Sequence, residues 1–208
     1  MTTRTLAATA GGNISGRASA ALVNDHGTGE PVRGLHYHVE AAETFFRTRA
    51  GQFDAIVSRA VLEHLYDPLA ALDDMAQALA PGGILIHRID FRDHGMFTGH
   101  HPLTFLTLPG ALYGAMSRNS GRPNRVLIPG YRDWLLRSGL KGSLRATRLV
   151  GVEGEIGPAE WAAIDPALQR QALASVAAIR PRLALPFRNF SDEDLAVAGV
   201  VLVAERPL

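Results

Sequence analysis

The feature that most constrains the fold is a strand–helix–strand pattern between residues 53 and 89. Residues 53–58 (FDAIVS) predict a strand, and residues 84–89 (ILIHRI) form a nearly continuous apolar strand. Between them, apolar residues recur at helical spacing: Leu69, Leu72, Met75, Ala76 and Leu79. A strand, a helix and a buried strand within about 40 residues predict a βαβ unit in a parallel sheet.

Turn residues set the expected ends of that helix. Asp67 is suited to cap the helix N-terminus, and Pro68 fits the first helical position, where no backbone donor is needed. Residues 81–83 (PGG) predict that the helix stops there.

Composition excludes several classes of protein. The 208 residues suit one domain, and 47% hydrophobic with 20% charged residues indicates a packed globular core. The sequence has no cysteine, which excludes disulfides, thiol nucleophiles and cysteine-ligated metal sites. No apolar run approaches the roughly 18 residues of a membrane span. A net charge of +1 gives no global attraction to nucleic acid. We therefore expect a cytoplasmic protein without a membrane span or a nucleic-acid partner.

The rest of the chain continues the alternation of strands and helices. Apolar spacing and turn residues predict strands at 20–25, 35–39, 144–152 and 195–204, and helices over 129–140 and 158–180. Residues 92–128 are rich in Gly, Pro and polar residues and predict an excursion with short helices.

Residues 53–68 (FDAIVSRAVLEHLYDP) resemble the fourth motif of class I S-adenosylmethionine-dependent methyltransferases. Residues 89–94 (IDFRDH) and 123–126 (PNRV) resemble a bacterial subgroup often associated with saccharide or cell-surface biosynthesis. Residues 194–207 look like the last, antiparallel strand of that fold. The resemblance implies an α/β fold: a Rossmann-like, mostly parallel sheet flanked by helices, with an antiparallel C-terminal strand. Residues 1–208 are then one domain, with acceptor-side insertions at 92–128 and 153–190.

The N-terminal part departs from this family. No apolar strand leads into the family's glycine-rich turn, and Gly27 and Gly29 lie too close to the strand at 35–39 for a crossover helix to follow them. Residues 20–25 fit better as a second strand, with Asp25 in the ribose-binding position. We therefore expect 1–34 to be an irregular or truncated first unit, so that the N-terminal βαβ unit is incomplete.

The resemblance also implies S-adenosylmethionine as cofactor. Ligands of open α/β sheets bind outside the carboxyl ends of the strands. The segment Ser58, Arg59 and Ala60 follows such an end, so it would form one wall of the cofactor site. Ala42 and Glu43 match the region that usually meets the adenine ring, although Glu43 could equally be a solvated surface carboxylate.

Candidate catalytic residues follow the two strongest strands. His64 could accept a proton from a substrate hydroxyl, because histidine titrates near neutrality, or it could hold its loop by hydrogen bonds. Strand alternation places His87 and Asp90 on opposite faces, whereas Asp90 and His94 are positioned to meet a substrate. A divalent metal would find enough ligands in His87, Asp90, Asp93, His94, His100 and His101, but their spacing matches no dedicated motif, so no metal site is predicted.

Arginines cluster between residues 118 and 148. Arg122 and Arg125 are the substrate-binding candidates, because guanidinium forks hold phosphate or carboxylate groups. A solvated basic face is the alternative interpretation.

The sequence thus leads to a main hypothesis and two rivals. The main one is methyl transfer to a small polar acceptor, which the resemblance implies is a hydroxyl of a sugar or glycan precursor. The first rival is a truncated, inactive relative that serves as a binding or partner subunit; a missing sheet edge would then expose apolar surface and favour a homodimer. A nucleotide-linked sugar enzyme on a similar sheet is the second rival.

Overall fold

The computed structural model describes residues 5–7, 36–118 and 120–208. The strands are β1 (Thr5–Ala7), β2 (His36–His38), β3 (Phe53–Arg59), β4 (Leu79–Asp90), β5 (Lys141–Leu149) and β6 (Val197–Glu205). The α-helices are α1 (Ala42–Phe45), α2 (Pro68–Ala78), α3 (Gly110–Ser117), α4 (Ile128–Arg137), α5 (Pro166–Ile179), α6 (Leu185–Arg188) and α7 (Asp192–Ala196). Short 3₁₀ turns cover Leu62–His64, Thr104–Thr107, Trp161–Ala163 and Arg180–Arg182.

Four strands form the main sheet in the order β3-β4-β6-β5. β3 pairs with β4 in parallel, and β6 runs antiparallel to both β4 and β5. The strands β3, β4 and β5 therefore point the same way, and their carboxyl ends meet at one edge of the sheet. This arrangement confirms the expected α/β fold with an antiparallel last strand. β1 and β2 form a separate two-stranded antiparallel sheet.

The two faces of β4 differ in burial. Leu85, His87 and Ile89 are buried, whereas the alternating Arg88 and Asp90 are partly exposed. This confirms that His87 and Asp90 lie on opposite faces of the strand. The buried residues join one core with residues of the flanking helices, including Leu72 of α2 and Tyr131 and Trp134 of α4.

Helix α2 begins as predicted, but it ends earlier. The Asp67 carboxylate accepts a hydrogen bond from the Ala70 amide at 3.0 Å, and Pro68 occupies the first helical turn. The chain then enters β4 at Leu79, which pairs with Phe53, so residues 81–83 lie within the strand instead of stopping the helix. A Cβ atom on Gly83 would lie 2.9 Å from the Phe53 carbonyl oxygen, so glycine permits this close pairing.

Two C-terminal elements have different bounds from those predicted, and side-chain caps explain the difference. Leu195 and Ala196 belong to α7 rather than to the last strand, because Ser191 caps that helix by accepting a bond from the Asp194 amide. In the predicted helix over 158–180, the Asp165 carboxylate caps α5 at the Ala167 amide, so the helix starts at Pro166. The strand predicted at 144–152 is β5, and the helix predicted over 129–140 is α4.

Within the described residues, β3 is an edge strand that pairs with β4 alone, and its Val57 is 64% exposed. The homodimer expected from such an edge stays a prediction. The predicted strand at 20–25 lies outside the described residues. None of the described helices combines the length and apolar character that crossing a bilayer requires.

Candidate functional site

His64 lies in the loop that follows β3, at the end of the 3₁₀ turn Leu62–His64. Its Nδ1 atom is 2.9 Å from the carbonyl oxygen of Gly121. Because a carbonyl oxygen can only accept, Nδ1 carries the proton and donates it. In the neutral form of the ring the lone pair therefore lies on Nε2, the atom that a proton acceptor uses.

His94 packs beside His64. The two ring centroids are 4.8 Å apart, with an angle of 87° between the ring planes. The backbone of His94 adopts a positive φ of 52°, which is uncommon for a residue other than glycine. Burial lowers the pKa of His94, and the charges of His64 and Arg92 act in the same direction, although Asp90 opposes them. His94 is therefore neutral at neutral pH.

Glu63 is the buried member of this group, with only 2% of its surface exposed. Its Oε1 atom accepts a bond from the Asp90 amide at 3.3 Å and lies 3.9 Å from His94 Nε2. Its Oε2 atom has no hydrogen-bond partner in the described part of the chain. Burial raises the pKa of Glu63 to about 7. Sequence reasoning gave Glu63 no role; its place next to His64 in the motif was the available signal.

Asp90 ends β4 beside this group, but its carboxylate is bound to Arg92. The Arg92 Nε atom donates to Oδ1 at 2.9 Å, and Nη2 donates to Oδ2 at 2.5 Å. Burial alone would raise the pKa of Asp90, yet the hydrogen bonds and charge of Arg92 outweigh it and hold the pKa below its ordinary value. Asp90 is thus an ionised carboxylate near His94, better suited to stabilising a cation than to taking a proton.

Asn124 fixes the loop that carries Glu63 and His64. Its side-chain amide donates to the carbonyl oxygens of Leu62 at 2.8 Å and Leu65 at 3.0 Å. Its backbone amide donates to the Glu63 carbonyl at 2.5 Å. In the sequence this asparagine stands out only as part of residues 123–126, and nothing there predicts its hydrogen bonds to the loop after β3.

Three residues that could hold a metal ion lie together in the structure, and they are not the same as the candidate ligands considered from the sequence. Glu63, His64 and His94 each offer a ligand atom, and these atoms lie within 4.8 Å of one another. Two imidazoles and a carboxylate are a donor set suited to a divalent cation. In contrast, His101 bonds to Ser175 in α5 through Nε2 at 2.9 Å.

The residues predicted to form the cofactor wall lie at the end of β3. The Ser58 hydroxyl is 2.7 Å from Nδ1 of the buried His87, so its side chain faces the core. Ala60 has a φ of 54°, and its amide donates to the Arg88 carbonyl at 3.0 Å. Arg59 between them is exposed. The wall therefore presents a guanidinium and backbone rather than the serine hydroxyl.

The second predicted cofactor segment contacts the loop that follows β3. Ala42 is buried in α1, and the Glu43 carboxylate accepts a bond from the Tyr66 amide at 3.3 Å. This contact ties the start of α1 to that loop. Asp25 lies outside the described residues.

A cleft of about 160 Å³ opens where the carboxyl ends of β3, β4 and β5 meet. Arg59 and Ala60 line it from β3, and Thr147 and Arg148 line it from β5. The remaining lining residues are Arg88, Ile89, Asp90, Arg92, Glu155 and Gly199. Since Asp90 also touches Glu63, the cleft adjoins the histidine pair.

The two arginines predicted to bind substrate have different surroundings. The Arg125 guanidinium donates to the Leu108 carbonyl at 2.8 Å and lies 4.3 Å from the centre of the Tyr113 ring. These contacts indicate that Arg125 holds the excursion together. Arg122 is exposed and remains available to a ligand.

Comparison with known proteins places the chain among methyltransferases. A ubiquinone biosynthesis O-methyltransferase of Xanthomonas campestris pv. campestris is 31% identical over 115 residues, which are 55% of this chain and 43% of that protein. The protein of the same name from Psychrobacter cryohalolentis is 40% identical over 52 residues, 25% of this chain and 20% of that protein. The chain thus spans less than half the length of these relatives.

Solved methyltransferase structures also show similarity to the chain. An S-adenosylmethionine-dependent methyltransferase from Mesorhizobium loti matches with a TM-score of 0.43 and 16% identity, over 85% of this chain and 72% of that one. Phosphoethanolamine N-methyltransferase 2 of Haemonchus contortus matches with a TM-score of 0.39 and 13% identity, over 76% of this chain and 34% of that one. The family model described as "Methyltransferase domain" matches residues 16–141. Because this match covers more than half of the chain, the protein belongs to the methyltransferase domain family.

Proposed function

We propose that the protein transfers a methyl group from S-adenosylmethionine to a hydroxyl of a small polar acceptor. The observation that carries this proposal is the His64 ring, whose Nδ1–H bond to the Gly121 carbonyl leaves Nε2 free to accept a proton. The family membership and the position of His64 directly after β3 support it.

The described residues fit one side of a site for this cofactor. The backbone of Arg59 and Ala60 lies at the carboxyl end of β3, where ligands of open α/β sheets bind. Glu43 lies at the start of α1, and its contact with the Tyr66 amide brings it to the same edge of the sheet. The positive φ of Ala60 turns the chain away from β3 and leaves the strand end open.

The chemistry divides between cofactor and protein. Bound S-adenosylmethionine supplies a methyl group on a positively charged sulfur, which is already activated for displacement. The protein has to align the acceptor and to take up the proton of its hydroxyl. We assign the proton to His64 Nε2. His94 packs against this ring, and burial keeps its pKa below the ordinary value although the nearby Asp90 carboxylate acts in the opposite direction.

Two kinds of hydroxyl are candidates for the methyl acceptor. The IDFRDH and PNRV segments resemble a saccharide-biosynthesis subgroup, which favours a sugar or glycan precursor. The curated relatives are named ubiquinone biosynthesis O-methyltransferases, which favours a phenol. Both agree on oxygen as the methylated atom, so we propose O-methylation.

Calorimetric titration of the full chain with S-adenosylhomocysteine tests the cofactor first. We expect saturable binding. No heat of binding at millimolar ligand would sink the proposal and favour the alternative from the sequence, an inactive partner subunit. Radiolabelled methyl transfer to a sugar panel and a phenol panel then identifies the acceptor class, and labelled product from neither panel would contradict hydroxyl methylation by this chain.

A further inference from the structure

The cleft at the end of β3, β4 and β5 is lined by four arginines and two carboxylates. We propose that it is a subsite for an oxyanion, a carboxylate or phosphate group carried by the methyl acceptor. The assignment to the acceptor rests on the proposed function, whereas the binding of an oxyanion does not.

The arginines that line the cleft carry more positive charge than its two carboxylates neutralise. Arg59 on β3 stands directly opposite Arg88 on β4, and like charges in such a pair destabilise a sheet. Arg88 is paired with Glu155 at 2.5 Å, and Glu155 also accepts from Arg148 at 2.9 Å. The Arg59 guanidinium has no ion-pair or hydrogen-bond partner among residues 36–118 and 120–208, so an anion in the cleft would be its counterion.

The Asp90 carboxylate is not the counterion of Arg59, because it is bound to Arg92. Its guanidinium holds Asp90 through both carboxylate oxygens, so this acid and this base neutralise each other at the rim. Glu155 remains as the single carboxylate shared by Arg88 and Arg148. The described lining residues therefore carry a net charge of +2, four arginines against two acids.

The opposite wall offers a neutral donor. Thr147 is 4% exposed and lines the cleft, and its hydroxyl makes no hydrogen bond within the described residues. Next to it lies Gly199, where an added Cβ would come within 3.5 Å of the Thr147 hydroxyl and 3.1 Å of the Ile89 carbonyl oxygen. A larger residue there would crowd the wall. Guanidinium forks and a hydroxyl are the donors that recognise carboxylate and phosphate oxygens.

The size and position of the cleft favour a group rather than a whole ligand. A volume of about 160 Å³ is well below that of pockets for complete small molecules, which start near 300 Å³. Asp90 forms part of the wall, and its amide bonds to Glu63 beside His64. An acceptor anchored in the cleft by its anionic group would thus extend toward the histidine pair.

The carboxylate of the cofactor has the same chemistry as the anionic group of an acceptor, so the experiment must separate the two sources. The full chain is titrated with inorganic phosphate by calorimetry at constant ionic strength, first alone and then with saturating S-adenosylhomocysteine. The variants are Arg59→Gln and Thr147→Val. The matched control is Arg145→Gln, because Arg145 lies in the same cross-strand row as Arg88 but outside the cleft.

We expect phosphate to bind the wild type equally well with and without S-adenosylhomocysteine. Arg59→Gln should weaken phosphate binding by about tenfold or more, as expected for a hydrogen bond to a charged group, and Thr147→Val should weaken it less. Arg145→Gln should bind as the wild type does. A midpoint of thermal unfolding in Arg59→Gln that is no lower than that of the wild type shows that the loss is local.

Three results would overturn the proposal. Absence of phosphate binding, or equal losses in Arg59→Gln and Arg145→Gln, would show that the cleft selects no oxyanion. Competition between phosphate and S-adenosylhomocysteine would assign the cleft to the cofactor carboxylate instead of the acceptor. Failure of S-adenosylhomocysteine to bind would refute the proposed function, whereas phosphate binding in its absence would still support an oxyanion subsite.

Discussion

The His64 ring and the Gly121 carbonyl, 57 positions apart in the chain, are joined by a hydrogen bond of 2.9 Å. The bond links the loop after β3 to the end of the excursion that follows β4. It fixes both the orientation of the ring and its tautomer, since the carbonyl accepts only from a protonated Nδ1. A proton acceptor is thereby held in place before any ligand arrives.

Replacement of His64 by alanine should lower the turnover number by about 100-fold or more, which is the usual contribution of a general base. Affinity for S-adenosylhomocysteine should stay within about twofold of the wild type, because His64 is not among the residues that we propose to hold the cofactor. Steady-state kinetics and calorimetry on the same preparation measure both quantities. His100→Ala is the control, because this histidine is exposed. Unchanged turnover in His64→Ala would reject histidine as the base.

The Asn124 side chain should stabilise the catalytic loop. Asn124→Ala removes two hydrogen bonds to the carbonyls of Leu62 and Leu65, and should lower the free energy of unfolding by about 1–3 kcal/mol. Asn124→Asp should be no better, because a carboxylate cannot donate to these carbonyls. Urea unfolding measures the change, with Asn189→Ala as the exposed control. Equal stability of Asn124→Ala and the control would show that the clamp contributes nothing.

Local signals predicted the part of the fold that follows from short-range rules. The Asp67-Pro68 pair predicted the start of α2, and the alternation of β4 predicted that His87 and Asp90 face opposite ways. The predicted end of α2 differs from the observed one because the turn residues 81–83 are the only stop signal in the sequence. In the structure the helix ends earlier, where Leu79 pairs with Phe53 in a tertiary contact. The start of the last strand was misplaced because the Ser191 cap was not recognised.

The candidate site was only partly predictable, because its contacts join distant segments. His64 and His94 were both named from the sequence, but nothing in their spacing shows that their rings touch. Asn124 reaches its partners across about 60 positions, and the Arg59–Arg88 pair depends on the register of two strands. The hydrogen bond from Arg125 to the Leu108 carbonyl likewise depends on the tertiary structure and cannot be predicted from the sequence.

The buried His87 should make stability depend on pH. Burial lowers the pKa of His87 to about 4, below its ordinary value of 6.5. The unfolded chain therefore binds the extra proton between about pH 4 and 6.5, and the contribution of His87 to stability falls by about 3 kcal/mol as the pH falls through this window. His87→Gln removes the titration, so its stability relative to the wild type should rise by about 3 kcal/mol as the pH falls from about 6.5 to 4, as measured by urea unfolding across the window. His100→Gln serves as the exposed control, and a difference between His87→Gln and the wild type that does not change with pH would contradict the assignment.

Glu63 should act in the opposite direction. Burial raises its pKa from 4.5 to about 7, so the folded state holds a proton that the unfolded state releases, and its stabilising contribution is lost as the pH rises through this range. Where the two windows overlap, His87 and Glu63 offset each other, and the stability of the wild type should change little with pH. Glu63→Gln keeps an oxygen that can accept from the Asp90 amide but cannot ionise.

The stability of Glu63→Gln should therefore rise with pH between about 4.5 and 6.5, because the His87 contribution is then unopposed. Relative to the wild type, the variant should gain about 3 kcal/mol between pH 4.5 and about pH 8, which corresponds to a shift of about 2.5 pKa units. Urea unfolding at a series of pH values measures the difference, and Glu153→Gln, an exposed carboxylate, should follow the wild type. Parallel curves for Glu63→Gln and the wild type would mean that Glu63 ionises as freely in the folded protein as in the unfolded chain. The orphaned Oε2 atom would then have to be reached by water.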